Sequence, residues 1–70
     1  MIHSKSFFLN GQKYFTKAEL TILDVIHYFN YTTSLCVLEY NSLVCSRNNW
    51  HHTKITNNAK IEIVTIVGGG

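Results

Sequence analysis

The sequence predicts an α+β fold in which about five strands form one sheet and one main helix packs on one face of it. Three observations support this prediction. A turn signal, Asn10-Gly11, separates two β-rich runs, a single segment at residues 21–30 has apolar residues at helical spacing, and an apolar run occupies residues 60–67. One helix cannot cover both faces of such a sheet, so the other face is expected to stay open.

The first two strands are predicted at residues 5–9 and 12–16, which are rich in residues typical of β-structure. Asn-Gly is the strongest short hairpin signal, because both central positions of a type I′ turn need a positive φ. We therefore expect a hairpin closed by Asn10-Gly11.

The helix has two candidate starts, Thr16 with Glu19 and Thr21 with Asp24. In each case the threonine can accept a hydrogen bond from an early helical amide, and the acid lies near the positive end of the helix. We place the helix at residues 21–30. There the apolar residues recur on one face: Ile22, Val25, Ile26 and Phe29.

The second half of the chain alternates short apolar runs with turn signals. Strands are predicted at residues 35–40, 43–45 and 60–67, and turns at Asn41-Ser42 and Asn57-Asn58. Between them, residues 46–50 are predicted to form a single capped helical turn that brings Trp50 to the edge of the core.

The last strand places apolar residues on both of its faces. Ile61 and Ile63 share one face, while Val64 and Ile66 point to the other. Two interpretations stay open. The exposed pair forms a partner surface on the open face of the sheet, or the strand is central and buried on both sides.

Charge and hydropathy exclude two classes of function. The formal net charge is only +2, and the Lys and Arg residues are scattered, so no basic surface is expected to meet nucleic-acid phosphates. No apolar run approaches the length that crosses a bilayer. We expect neither a nucleic-acid partner nor a membrane partner.

The cysteines and histidines do not predict a metal site or a catalytic centre. Cys36 and Cys45 followed by His51-His52 match no zinc spacing, and no activating base or oxyanion site accompanies either thiol. We expect two free thiols, because the start of the chain shows no secretion signal.

Composition indicates where the gene resides. The chain is rich in Phe, Tyr, Ile, Asn and Lys, whose codons are AT-rich, and contains no Pro and few Ala or Arg. Together with the absence of a leader, this favours a plastid-encoded protein of the chloroplast stroma. A bacterial cytoplasm is the alternative.

The sequence ends on Val67-Gly68-Gly69-Gly70, directly after the apolar run. Glycine accepts backbone angles that a β-carbon forbids, and three extended residues reach about 10 Å. Residues 68–70 are therefore expected to form a flexible tail on a domain of residues 1–67. Such a tail could carry a free carboxylate into a narrow active site. A frayed terminus is the alternative interpretation.

Together these features resemble the β-grasp, ubiquitin-like proteins, and within them the ThiS family of sulfur carriers for thiamin thiazole synthesis. The resemblance rests on four stretches: Phe8-Leu9-Asn10-Gly11, residues 21–26, Glu39-Tyr40-Asn41 with Val44, Arg47 and Trp50, and residues 61–64 running to the glycines. It covers essentially the whole chain and implies a mixed sheet.

The resemblance implies that the chain is a co-substrate and not an enzyme. The carboxylate of Gly70 would be adenylated by an adenylating enzyme of the ubiquitin-activating type, which uses ATP and Mg²⁺. Sulfur from a cysteine desulfurase would then give a thiocarboxylate for thiazole synthase. The chain itself would bind no cofactor. Partner contacts would be made by Gly68, Gly69, Val67, Ile66 and Val64.

Three alternatives remain at this point. The sulfur-carrying subunit of molybdopterin synthase shares the diglycine end, although such chains are usually longer. A ubiquitin-like modifier would be joined to lysines through Gly70. A plain interaction domain would have an incidental tail.

Overall fold

Five strands form one mixed sheet in the structure, a computed structural model that describes residues 4–66. The strands are β1 (Lys5–Leu9), β2 (Gln12–Thr16), β3 (Cys36–Tyr40), β4 (Leu43–Val44) and β5 (Ala59–Thr65). Their order across the sheet is β2-β1-β5-β3-β4. Neighbouring strands are antiparallel, except that β1 and β5 run parallel. The α+β prediction and the mixed sheet are confirmed.

Asparagine closes most of the tight turns. Asn10 and Gly11 have φ of 49° and 82° and join β1 to β2, while Asn41 and Ser42, at 52° and 73°, join β3 to β4. Asparagine tolerates the left-handed region better than most residues because its short polar side chain can hydrogen-bond locally. The same region is used at two further positions, Asn30 and Asn58.

The helix α1 spans Ile22–Tyr28 and begins at the second of the two candidate starts. Thr21 Oγ1 accepts a hydrogen bond from the Asp24 amide at 3.1 Å, and Asp24 Oδ2 accepts one from the Thr21 amide at 2.9 Å. This reciprocal capping box satisfies two amides that the helix cannot pair internally. Thr16 instead accepts a hydrogen bond from the Ala18 amide in a local turn.

The helix ends earlier than the predicted residue 30. Asn30 has a φ of 61°, so the chain cannot continue as a right-handed helix. Its amide donates to the His27 carbonyl, and the Tyr31 amide donates to the Ile26 carbonyl. These two bonds satisfy carbonyls that the last turn leaves open, which is why the helix stops here.

Two short 3₁₀ turns refine the predicted boundaries in the second half. Thr33–Leu35 forms the first, so β3 begins one residue later than expected. Arg47–Asn49 forms the second, and Ser46 makes no side-chain cap there. Its hydroxyl accepts a hydrogen bond from Asn49 Nδ2 instead, at 3.3 Å. The predicted helical turn therefore exists, but the side-chain cap expected for it is not formed.

The core lies between α1 and one face of the sheet. The helix contributes Ile22, Val25 and Ile26, all essentially inaccessible to solvent. Trp50 closes the core at the level of β3 and is only 2% exposed. Its Nε1 donates to the Cys45 carbonyl at 2.9 Å, which satisfies the one polar atom that the indole buries. The sheet supplies the rest, including Phe7, Leu9, Leu38, Ala59, Ile61 and Ile63.

Candidate functional site

The last strand, β5, remains paired with β3 up to the final described residue. Cys36 lies opposite Thr65 in the antiparallel register. The Ile66 amide then donates to the Leu35 carbonyl at 2.6 Å. The backbone that leads into the predicted tail is therefore fixed on the β3 side as far as Ile66.

On its other side β5 extends beyond β1, and the side chain of Asn10 takes over the pairing. Strand β1 ends at Leu9, opposite Ile61. The Ile63 amide donates to Asn10 Oδ1 at 2.8 Å, and Asn10 Nδ2 donates to the Ile63 carbonyl at 3.3 Å. The primary amide thus makes the two bonds that another residue of β1 would have made.

Asn41 plays the corresponding part near the start of β5. The Lys60 amide donates to Asn41 Oδ1 at 2.8 Å, and the Asn41 amide donates to the Lys60 carbonyl at 2.7 Å. Two asparagines from two hairpin turns therefore fix the position of the strand that leads to the tail. The sequence identified both only as turn residues, because no local pattern signals a side-chain bond to a distant strand.

Replacing Asn10 tests how much its side chain contributes to fixing β5. Asn10→Gly keeps the left-handed backbone accessible but removes both bonds to Ile63, so we expect a loss of about 1–3 kcal/mol in the free energy of unfolding. Asn10→Ala should cost about 1 kcal/mol more, because alanine at positive φ is strained. Urea unfolding followed by circular dichroism measures both. A Gly variant as stable as the parent would contradict the assigned bonds.

The face of the sheet opposite α1 is open and carries exposed apolar residues next to the end of β5. Val64 is 63% exposed and Ile66 51%, whereas Ile61 and Ile63 are buried on the helix side. Val37 pairs directly with Val64. Val44 pairs with Glu39 and shares this face. We call Val37, Val44 and Val64 the valine patch. The interpretation in which β5 is buried on both sides is wrong.

The other end of the open face has a different character. Lys13 Nζ lies 5.8 Å from the Phe8 ring centroid and 5.4 Å from that of Phe15, within the range of cation–π contacts. Lys13 and Phe8 are direct partners in the β1–β2 register, and Lys60 lies beside Phe8 on β5. Along β5 the open face therefore changes from Lys60 beside an aromatic ring to Glu62 and then Val64. Arg47 lines a small pocket with Val37 and Val44.

A groove of about 520 Å³ lies on the helix side of the sheet, between α1 and the edge strand β2. Its walls are mainly aromatic and include Tyr14, Tyr28 and Phe29. Asp24, which also lines the groove, already uses one carboxylate oxygen in the capping box. None of the residues that line the groove belongs to the valine patch, so the two surfaces are separate.

Four of the predicted site residues, Val67, Gly68, Gly69 and Gly70, lie outside the described residues, and so does the predicted boundary between domain and tail. Cys36 and Cys45 are free, and Cys36 Sγ donates to the Thr32 carbonyl at 3.1 Å. Among residues 4–66, no three His, Cys, Asp or Glu side chains are grouped closely enough to hold a metal. Within the same range, no helix has the length and apolar character needed to span a membrane.

One helix on a five-stranded mixed sheet, with the first and last strands parallel at its centre, defines a β-grasp protein. The chain belongs to the ThiS family, whose model matches residues 8–70. It is 52% identical over 67 residues to the uncharacterized protein ycf40 of Trieres chinensis, covering 96% of this chain and 92% of that one. The uncharacterized protein ycf40 of Porphyra purpurea is 31% identical over 62 residues, with coverage of 89% and 87%.

A solved structure shows the same fold. The crystal structure of thiamine biosynthesis protein ThiS from Geobacter metallireducens superposes with a TM-score of 0.78 at 18% identity, covering 93% of this chain and 99% of that one. The resemblance inferred from the sequence is therefore confirmed. Membership in the ThiS family makes this chain a small sulfur carrier, a class of protein that partner enzymes act upon.

Proposed function

We propose that this protein carries sulfur for the synthesis of the thiamin thiazole ring, as a thiocarboxylate on Gly70. The observation that carries the proposal is the family match, which extends through residue 70 and so includes the glycine end. The exposed valine patch beside the end of β5 supports it, because a carrier needs a surface that partners can recognise.

The chemistry begins with an unreactive group. A terminal carboxyl has a pKa of about 3.5, so it is ionised at neutral pH and is a poor electrophile. An adenylating enzyme with ATP and Mg²⁺ would join it to AMP and release pyrophosphate. A persulfide, charged by a cysteine desulfurase, would then attack the acyl carbon and expel AMP. A thiol would reduce the resulting acyl disulfide and leave the thiocarboxylate.

The residues before Gly70 would bring its carboxylate into the active site of the partner enzyme. Gly68 and Gly69 bring no side chain into the partner's active site, so the backbone can approach the reacting atoms closely. Val64 and Ile66, with Val67, would contact the partner outside that site. Because Asn10 and β3 hold β5 on both sides at Ile63, the end of β5 has a defined position relative to the valine patch.

We place this activity in the plastid. The algal relatives bear ycf names, which belong to reading frames of plastid genomes, and the AT-rich codon usage inferred from composition agrees. The adenylating enzyme and thiazole synthase would then be the partners in the stroma.

Intact mass spectrometry tests the proposal directly. Purified protein is incubated with the adenylating enzyme, ATP and Mg²⁺, a cysteine desulfurase, cysteine and a thiol reductant. Replacement of one oxygen by sulfur should add about 16 Da. The same reaction without ATP is the control and should leave the mass unchanged. An unchanged mass in the complete reaction would refute the carrier assignment.

The thiocarboxylate form of the protein is then used to identify the pathway that takes up its sulfur. Thiazole synthase supplied with the purified thiocarboxylate form should make thiazole and return the parent mass. The large subunit of molybdopterin synthase is the comparison, and turnover only there would favour the molybdopterin alternative. Adducts on the lysines of other proteins, with no thiocarboxylate, would instead identify a protein modifier.

A further inference from the structure

Two acidic side chains face each other on the open side of the sheet. Glu39 on β3 and Glu62 on β5 are direct partners in the antiparallel register, and both are exposed. Side chains at such positions have Cβ atoms about 4.5–5.5 Å apart, and like charges there are destabilising. Within residues 4–66 the ion pair found is Lys5–Glu19, so neither of these carboxylates has a cation of its own chain at bonding distance.

The acidic pair lies inside the valine patch. Val44 is the partner of Glu39 on β4, and the Val37–Val64 pair follows two residues further along the strands, towards Ile66. Two residues along a strand correspond to about 7 Å. A protein that covers Val37 and Val64 therefore covers Glu39 and Glu62 as well.

Covering the pair with apolar surface alone would be costly, because it would remove two like charges from water without compensation. A cation placed between the two carboxylates reverses this penalty. A guanidinium suits the position best, since its planar array of donors can bond two carboxylates at once.

We propose that the valine patch and the Glu39–Glu62 pair form the surface on which the adenylating enzyme docks, and that this enzyme places an arginine or lysine between the two carboxylates. The proposal rests on the proposed function and specifies the chemistry of its first partner. An apolar protein surface that lacks the cation is rejected by the same pair, so the acids provide specificity as well as affinity.

The pair allows a test in which stability and binding change in opposite directions. Glu39→Gln and Glu62→Gln each remove the repulsion, so each should raise the thermal midpoint of the free protein by about 1–5 °C. The double variant should add little more, because the repulsion is already gone. If the pair affected only the stability of the free protein, these substitutions would change the thermal midpoint and leave binding to the adenylating enzyme unchanged.

Binding is measured with the whole protein in ATP–pyrophosphate exchange catalysed by the adenylating enzyme. Each single variant should raise the KM for this chain about three- to tenfold, and the double variant more, with kcat unchanged. The KM of the parent should increase with added salt, and that of the double variant should depend on salt less.

Glu19→Gln is the matched control, since it makes the same change of charge on an exposed side chain elsewhere. Glu19 accepts a hydrogen bond from Lys5 Nζ at 3.1 Å, and this bond with the positive charge of Lys5 lowers the pKa of its carboxyl. The control should leave the KM unchanged and should not raise the thermal midpoint.

The outcomes separate this inference from the proposed function. If the parent supports exchange and the double variant has the same KM and salt dependence, the docking proposal is overturned and the carrier function stands. If the parent supports neither exchange nor thiocarboxylate formation, the carrier function fails and the docking proposal fails with it. If Glu19→Gln raises the KM as much as Glu39→Gln or Glu62→Gln does, the increase reflects the net charge of the protein and not the acidic pair. That result would also overturn the proposal.

Discussion

Removal of Gly70 is expected to abolish the gain of about 16 Da that marks the thiocarboxylate, or to slow it at least about 100-fold. The shortened chain ends on Gly69 and still carries a carboxylate, so the chemical group is the same. Its reach falls by about 3.4 Å. A reacting group displaced by even about 1 Å from its attack geometry loses about two orders of magnitude in rate.

Two further measurements complete this experiment. The thermal midpoint of the truncated protein should equal that of the parent, because the hydrophobic core of the described residues runs from Phe7 to Ile63. Gly69→Ala, which keeps the length but adds a β-carbon, should react more slowly than the parent. A truncated protein that gains sulfur at the parental rate would show that the reacting group is not the carboxylate of Gly70.

Trp50→Ala is expected to produce the largest loss of stability in the chain, about 3–5 kcal/mol. Trp50 is among the largest fully buried side chains and closes the core beside Leu38. A 70-residue domain has a total stability of about 3.5–10 kcal/mol, so the variant should be largely unfolded or close to it at 25 °C. Guanidinium unfolding followed by circular dichroism measures the loss.

Trp50→Phe separates the packing of Trp50 from its hydrogen bond. Phenylalanine keeps an aromatic ring but leaves the Cys45 carbonyl without the Nε1 donor that lies 2.9 Å away in the parent. We expect an intermediate loss of about 1–3 kcal/mol. An alanine variant that loses less than about 1 kcal/mol would mean that Trp50 does not close the core as described.

The candidate site was predictable from sequence only in part. The glycine end and the apolar residues before it are visible as a pattern, and the structure shows that Val64 and Ile66 are exposed. Their contact with a partner stays a prediction, as does the role of Gly70. The Glu39–Glu62 pair had no signal in the sequence, because 23 positions separate the two acids and only the register of β3 on β5 makes them neighbours.

Local signals in the sequence by themselves determined most of the elements. Asn10-Gly11 defines a hairpin, Thr21 with Asp24 defines a helix start, and Asn41-Ser42 defines a second turn. Each depends on backbone angles or hydrogen bonds among residues at most three positions apart, so a short window contains the whole cause.

Only the tertiary structure decided how those elements meet. It put β5 beside β1 and β3, so that Asn10 bonds to Ile63 across 53 positions and β5 is buried on one face only. Sheet pairing depends on which distant strands bury their apolar faces together against the single helix, and that choice is made by the core as a whole.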